Sequence, residues 1–65
     1  MAKRANYIVN APLGRLNVRE RPSLDARILS TIETGARVKI NPSAEVPDGW
    51  KAVDGGGFVM VDYLD

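Results

Sequence analysis

Few side chains in this 65-residue sequence could do acid–base or covalent chemistry, because histidine and cysteine are both absent. Those two residue types supply the commonest general base and the strongest nucleophile of enzymes. Glu45 and Asp48 share one loop, where solvated charges are expected more often than a catalytic pair. Asp54 precedes three glycines, which favours a turn, since a carboxylate metal site needs several converging oxygens. The sequence therefore predicts no enzymatic activity, no cofactor and no bound metal.

Aromatic side chains are better candidates for binding than these carboxylates are for catalysis. Tyr7 and Tyr63 each combine an apolar ring with a polar tip, which suits stacking against a sugar or a peptide. Trp50 and Phe58 are expected to serve at least partly as packing residues, because a chain of this size has few large apolar side chains. A proline-rich-peptide groove is disfavoured, since it needs several close aromatic residues near the N-terminus and only Tyr7 lies there.

Arginine is the second candidate binding group. Arg19 and Arg21 fall on the same side of the local alternation, next to a loop, and a guanidinium can hold a carboxylate through two hydrogen bonds. Together with Arg15 and Arg27 they form a cluster that also contains Glu20 and Asp25, so the alternative is that these arginines pair with nearby acids or only contact water. The predicted ligand-binding residues are Tyr7, Arg19, Arg21, Trp50 and Tyr63.

Short apolar runs separated by turn residues must position these side chains, and they are typical of an all-β chain. The clearest alternation of apolar and charged residues runs over 36–40. No segment keeps a helical period over ten residues. Five to six strands of about four residues suit a small closed or nearly closed barrel, with one short helical turn at 62–65. The predicted strands cover residues 7–9, 16–19, 28–32, 36–40, 50–53 and 58–61.

Glycine and proline mark the connections between these strands. Residues 33–35 read as a tight turn in which Gly35 takes a positive φ, and 54–57 read as a hairpin. Pro22 interrupts the pattern after the second strand and predicts a loop. Residues 41–49 contain two prolines and an Asp-Gly pair, so they also form a loop.

Length and charge limit the classes of function. Sixty-five residues suit one domain, 1–65 with a core over about 7–64, and leave little room for a deep cavity. No apolar run reaches the roughly 20 residues of a membrane span, and the run after the basic start is too short for a signal-peptide core. The net charge is +1, divided as +5 over residues 1–40 and −4 over 41–65. With a pI near 8.1, nucleic acid is an unfavoured partner.

Several motifs together resemble the bacterial Src homology 3 (SH3) domains. They occur in the order and spacing of that family over Ile8 to Leu64, although each is weak alone. Phe58 stands where the family usually has Trp, which keeps apolar bulk but removes an indole N–H. The matching motifs are Leu16-Asn17-Val18-Arg19, Arg21-Pro22-Ser23, Ile28-Leu29 with Gly35, Gly49-Trp50 with Val53, Gly57-Phe58-Val59 and Tyr63-Leu64.

This resemblance implies an SH3-like barrel that acts as a targeting module, since the family is found mainly in bacterial and phage cell-wall hydrolases and surface proteins. The implied ligand is the stem or cross-bridge peptide of peptidoglycan. The alternative is a protein–protein interaction or assembly module, intracellular or in a phage particle, recognised by a stable partner or by self-association through edge strands. Nucleic-acid binding is the third option. The expected localisation depends on which of these functions applies. It is the cell wall or the extracellular space if the chain is part of an exported parent protein, and otherwise it is cytoplasmic or phage-associated.

Overall fold

Six short β-strands and one 3-10 turn make up the regular structure of residues 4–65, the part of the chain that the computed structural model describes. The predicted all-β class, its strand number and its helical turn are confirmed. Residues 1–3, which begin the predicted domain and its basic N-terminal segment, lie outside the described residues. Over 4–65, no helix has the length and hydrophobicity needed to span a membrane. The elements are β1 (Asn6–Ile8), β2 (Arg15–Arg19), β3 (Ile28–Glu33), β4 (Arg37–Lys39), β5 (Trp50–Ala52), β6 (Phe58–Met60) and the 3-10 turn (Val61–Tyr63).

The strands form two antiparallel sheets, one with the order β3-β2-β6-β5 and one in which β1 pairs with β4. An isolated bridge between Ile40 and Val53 joins the end of β4 to the end of β5. The strand neighbours therefore run without interruption as β1-β4-β5-β6-β2-β3. This continuity lets six strands of three to six residues enclose one core.

The C-terminal residues close the structure against β1. Ile8 and Asp65 exchange two backbone hydrogen bonds of 3.0 and 2.8 Å, and Val9 forms an isolated bridge with Leu64. On its other side, Val9 accepts a hydrogen bond of 2.8 Å from the N–H of Gly35, whose φ of +90° confirms the predicted tight turn. β1 is thus paired along both of its edges.

Small aliphatic side chains form the core. Leu16 and Val18 of β2 are buried while the residues between and beside them are not, which is the period of two that a strand with one buried face shows. Val9, Ile40 and Val59 are the most completely buried, at 1% exposure or less. The aromatic side chains lie at the margin of this core, and Trp50 and Phe58 are each half-buried, as the packing interpretation predicts.

The β5–β6 hairpin requires glycine at its last turn position. Gly57 has a φ of +87°, in the left-handed region that side chains disfavour, and a Cβ built there would overlap the Cγ1 methyl of Val18. Val18 is β-branched and buried, so it has little freedom to move away. Gly55 has a similar φ of +99°, but a Cβ there would meet nothing within 4 Å.

We expect Gly57→Ala to destabilise the fold by about 2 kcal/mol more than Gly55→Ala. Both variants carry the cost of a positive φ, whereas only the first adds overlap with a packed side chain, which costs about 1–3 kcal/mol. Chemical denaturation of both purified variants measures the difference in the free energy of unfolding. Equal losses would show that the hairpin does not approach Val18 as described.

Candidate functional site

A groove of about 170 Å³ opens on the outward face of β2. Arg15, Asn17 and Arg19 line it, and they alternate with the buried residues of the same strand, so their side chains leave the core. The walls are the turn over residues 11–14 and the loop over 20–27. Met60 and Tyr63, from the end of β6 and the 3-10 turn, complete the lining.

Two leucines at the sides of this groove are unusually exposed. Leu13 in the 11–14 turn is 91% exposed, and Leu24 in the 20–27 loop is 64% exposed. Pro12 lies beside Leu13, and Tyr63 packs partly against the core while it lines the groove. The groove is therefore mostly apolar, with leucine side chains that no part of residues 4–65 covers.

Thr34 fixes the turn that carries Leu13. Its hydroxyl accepts a hydrogen bond of 2.6 Å from the N–H of Ala11 and donates one of 3.0 Å to the carbonyl oxygen of the same residue. Within the turn, the N–H of Gly14 donates to the Ala11 carbonyl at 3.0 Å. One side chain from the end of β3 thus satisfies both backbone groups of a buried residue and sets the position of this wall.

Arg19 fixes the opposite wall. Its Nη1 donates to the carbonyl oxygens of Leu24 and Ala26, at 2.9 and 3.0 Å. Ala26 is buried, so the loop is also held to the body of the domain at this residue. Among residues 4–65, Nε and Nη2 of Arg19 make no hydrogen bond, so three N–H donors of the guanidinium remain for a ligand.

The charges at the groove are positive and lack close carboxylate partners. Within the described part of the chain, no carboxylate lies within 4.0 Å of the guanidinium of Arg15 or Arg19. Glu20, one of the acids predicted as a partner, instead contacts Arg27 at 3.6 Å. Glu33 stands opposite Arg15 in the β2–β3 register without forming an ion pair. Arg19 is therefore held by carbonyl groups and keeps its charge available.

The structure brings two of the five predicted binding residues together, Arg19 and Tyr63. Tyr7 lies at a separate, larger and more open hollow of about 520 Å³, where the guanidinium carbon of Arg4 stands 4.2 Å from the centre of its ring. Trp50 is half-buried on β5, and Arg21 is exposed in the 20–27 loop, and neither lines the groove. These three residues stay predictions without a common site.

Sequence reasoning missed Leu13, Leu24, Arg15 and Met60 as groove residues. The signal for the two leucines is an apolar side chain within a turn or loop, next to Pro12 in one case. Such a residue belongs to no strand face and so has no predicted place in the core. Nothing in the sequence alone says that the two leucines stand beside the same strand.

No protein family, curated protein or solved structure matches this chain in comparisons of its sequence and its fold. Acidic side chains within residues 4–65 also form no cluster of three or more that could hold a metal ion. Function must therefore be argued from the groove itself and from the motifs in the sequence.

We expect Thr34→Val to cost about 1–3 kcal/mol of stability, because it leaves the N–H of the buried Ala11 without its partner and removes one of the two hydrogen bonds to its carbonyl oxygen. Thr34→Ser keeps the hydroxyl and is the matched control. Thermal unfolding of both variants measures the loss. A valine variant as stable as the serine variant would contradict the role assigned to this hydroxyl.

A second prediction concerns the wall of the groove that the loop over residues 20–27 forms. Arg19→Met keeps an aliphatic side chain but removes both hydrogen bonds to the loop, so amide hydrogens of residues 20–27 should exchange faster with solvent. Arg21→Met is the control, since the Arg21 side chain is exposed and makes no hydrogen bond within residues 4–65. Exchange rates that rise equally in both variants would show that Arg19 does not hold the loop.

Proposed function

We propose that this chain is a non-catalytic binding module of the bacterial SH3 type, and that its groove takes a short peptide with small apolar side chains and a carboxylate. The observation that carries the proposal is an exposed apolar groove flanked by two guanidinium groups that have no carboxylate within 4.0 Å among residues 4–65. The family resemblance of the sequence motifs adds the source of such a peptide, the stem or cross-bridge of peptidoglycan.

The size of the groove favours a small ligand segment. Sites for drug-sized molecules measure about 300–1,000 Å³, whereas this groove holds about 170 Å³. One or two small side chains would fill it, with the rest of the ligand lying across Leu13 and Leu24. Alanine-sized groups of a stem peptide meet this requirement.

Charge complementarity favours a carboxylate at the same place. A guanidinium binds a carboxylate best through two parallel N–H groups, and Nε and Nη2 of Arg19 provide such a pair. Because Nη1 is already bound to the loop, the orientation of the guanidinium is fixed before a ligand arrives, which lowers the entropy cost of binding. Arg15 adds a second positive charge along the same strand face.

A protein partner is the second candidate, and the exposure of Leu13 and Leu24 favours it. Apolar side chains that protrude from a groove are typical of interaction sites on protein surfaces. A partner would insert an apolar side chain between the two leucines, inside a rim of arginine. This alternative corresponds to an assembly module inside a cell or in a phage particle.

Co-sedimentation with insoluble peptidoglycan from Gram-positive and Gram-negative bacteria tests the proposal. We expect pelleting with at least one wall type, and we expect Leu13→Ala and Arg15→Gln each to weaken it by about tenfold, which corresponds to about 1.4 kcal/mol. Arg37→Gln is the control, because this exposed residue of β4 does not line the groove.

The outcomes separate the two candidates. Retention that weakens in the two groove variants and not in the control supports the cell-wall ligand. Equal binding by all variants would place the binding site elsewhere on the domain. A domain that stays in the supernatant with every wall would overturn the cell-wall proposal and leave the protein partner as the leading candidate.

A further inference from the structure

Within residues 4–65, the outer edge of β3 is a sheet edge that pairs with no other strand. β3 pairs with β2 on one side and has no strand on the other. By contrast, β1 lies between β4 and the C-terminal residues, and β4 is joined to β5 beyond its end by backbone hydrogen bonds of 2.8 and 2.9 Å. The barrel is thus closed everywhere except along this strand.

The hydrogen-bonding direction of β3 can be read from its end. The N–H of Thr34 donates to the carbonyl oxygen of Gly14, toward β2. Because successive residues of a strand point their backbone groups to opposite sides, Ile32 also faces β2, whereas Thr31 and Glu33 face outward. Both backbone groups of Thr31 and the N–H of Glu33 therefore lie unpaired on the open edge. The carbonyl of Glu33 is used within the turn, where it accepts from Ala36 at 3.0 Å.

This edge carries little of the protection that natural sheets use against pairing. Edge strands are usually kept short or interrupted by lysine, proline or bulges, but β3 is the longest strand of the structure, with six residues. Its bulge lies near one end, beside Arg19, and its one charge, Glu33, lies at the other. Ile28 and Leu29 are 48% and 45% exposed. The middle of the strand is neutral, uninterrupted and accessible.

We infer that β3 pairs in antiparallel fashion with β3 of a second copy of this chain, around a two-fold axis at Thr31. A two-fold axis perpendicular to the sheet places one residue opposite itself. We place the axis at a residue with outward backbone groups, because the opposed pair is then joined by two backbone hydrogen bonds. A centre at Glu33 would oppose two carboxylates, which is destabilising. A centre at Leu29 would carry the ladder out of β3 into the 20–27 loop. Among the residues with outward backbone groups, Thr31 is the centre that remains, whereas an axis at Ser30 or Ile32 would oppose a pair without hydrogen bonds of its own.

With this register, the two Thr31 residues exchange two backbone hydrogen bonds, and their side chains form a Thr–Thr pair of the kind that stabilises sheets. Leu29 stands opposite Glu33 of the second copy, so no like charges meet. The contact is one strand wide, well below the roughly 1,600 Å² of a standard interface, so the dimer is expected to be weak and dependent on concentration. This inference does not depend on the proposed function.

Single-cysteine variants test the register, because the chain has no cysteine of its own. Directly opposed residues of a hydrogen-bonded antiparallel pair have Cα atoms about 5.5 Å apart, within the roughly 4.4–6.8 Å range of disulfides. We expect Thr31→Cys to form a disulfide-linked dimer under mild oxidation at least about tenfold faster than Ser43→Cys, an exposed-loop control for random collision. Ser30→Cys, which stands opposite Ile32 of the second copy in this register, should cross-link more slowly than Thr31→Cys.

Analytical ultracentrifugation of the unmodified chain gives a readout without cysteine. We expect the average mass to rise with concentration toward ~1 mM, and Thr31→Pro to abolish the rise because proline removes an outward N–H that β2 does not use. Thr31→Ala, which keeps that N–H, should still associate. A chain that stays monomeric at ~1 mM, or a Thr31→Cys variant that cross-links no faster than Ser43→Cys, would overturn the inference. Faster cross-linking of Ser30→Cys would overturn the register.

Discussion

The structure depends on two residues, Val9 and Ile40, that pair through their backbones with a neighbouring segment and also bury their side chains. Each forms an isolated bridge that joins one sheet to a neighbouring segment, and each is about 1% exposed. A chain of this size has little apolar surface to bury and has no disulfide, so the same residues must close the sheet and fill its interior. Val59 of β6, which is fully buried, belongs to the same core cluster as Val9. Large aromatic side chains are left to the margin.

The small, completely filled core decides where a ligand can bind. Since the interior is filled by valine, leucine and isoleucine, a site must lie on the outward face of a strand and take its walls from loops. Thr34 and Arg19 hold those walls through hydrogen bonds between their side chains and backbone atoms of the adjacent turn and loop. Hydrogen bonds to the backbone thus shape the groove, as they also close the barrel. A groove built this way is shallow but fixed before binding, because the loops on both sides are tied to β-strands.

The fold could be predicted from the sequence because its signals are local. Alternation identified β2 and β4, and the glycines after Asp54 identified the β5–β6 hairpin. The strand predicted over 7–9 lies one residue earlier in the structure, and the strand predicted over 36–40 is shorter. The site depends on tertiary contacts and was predicted less completely. Arg19 was predicted to bind a ligand carboxylate, but the two carbonyl oxygens that the 20–27 loop brings to its Nη1 could not be foreseen from the sequence. Tyr7 and Tyr63 look equivalent as residues, yet Arg4 stands over one ring while the other lines the groove.

The groove and the open edge lie on adjacent strands, and this placement gives self-association a consequence for binding. A two-fold axis perpendicular to a sheet exchanges strands without exchanging faces, so the outward faces of both copies point the same way. Two grooves of a dimer paired through β3 would therefore face one surface together. Each groove is small, with about 170 Å³ to fill, and a ligand that occupies it gains limited affinity. On a polymer that repeats the same peptide, however, the second groove binds at a high effective concentration once the first is occupied. A weak dimer and a weak site would then act together on a repetitive ligand such as a cell wall, whereas neither would retain an isolated peptide.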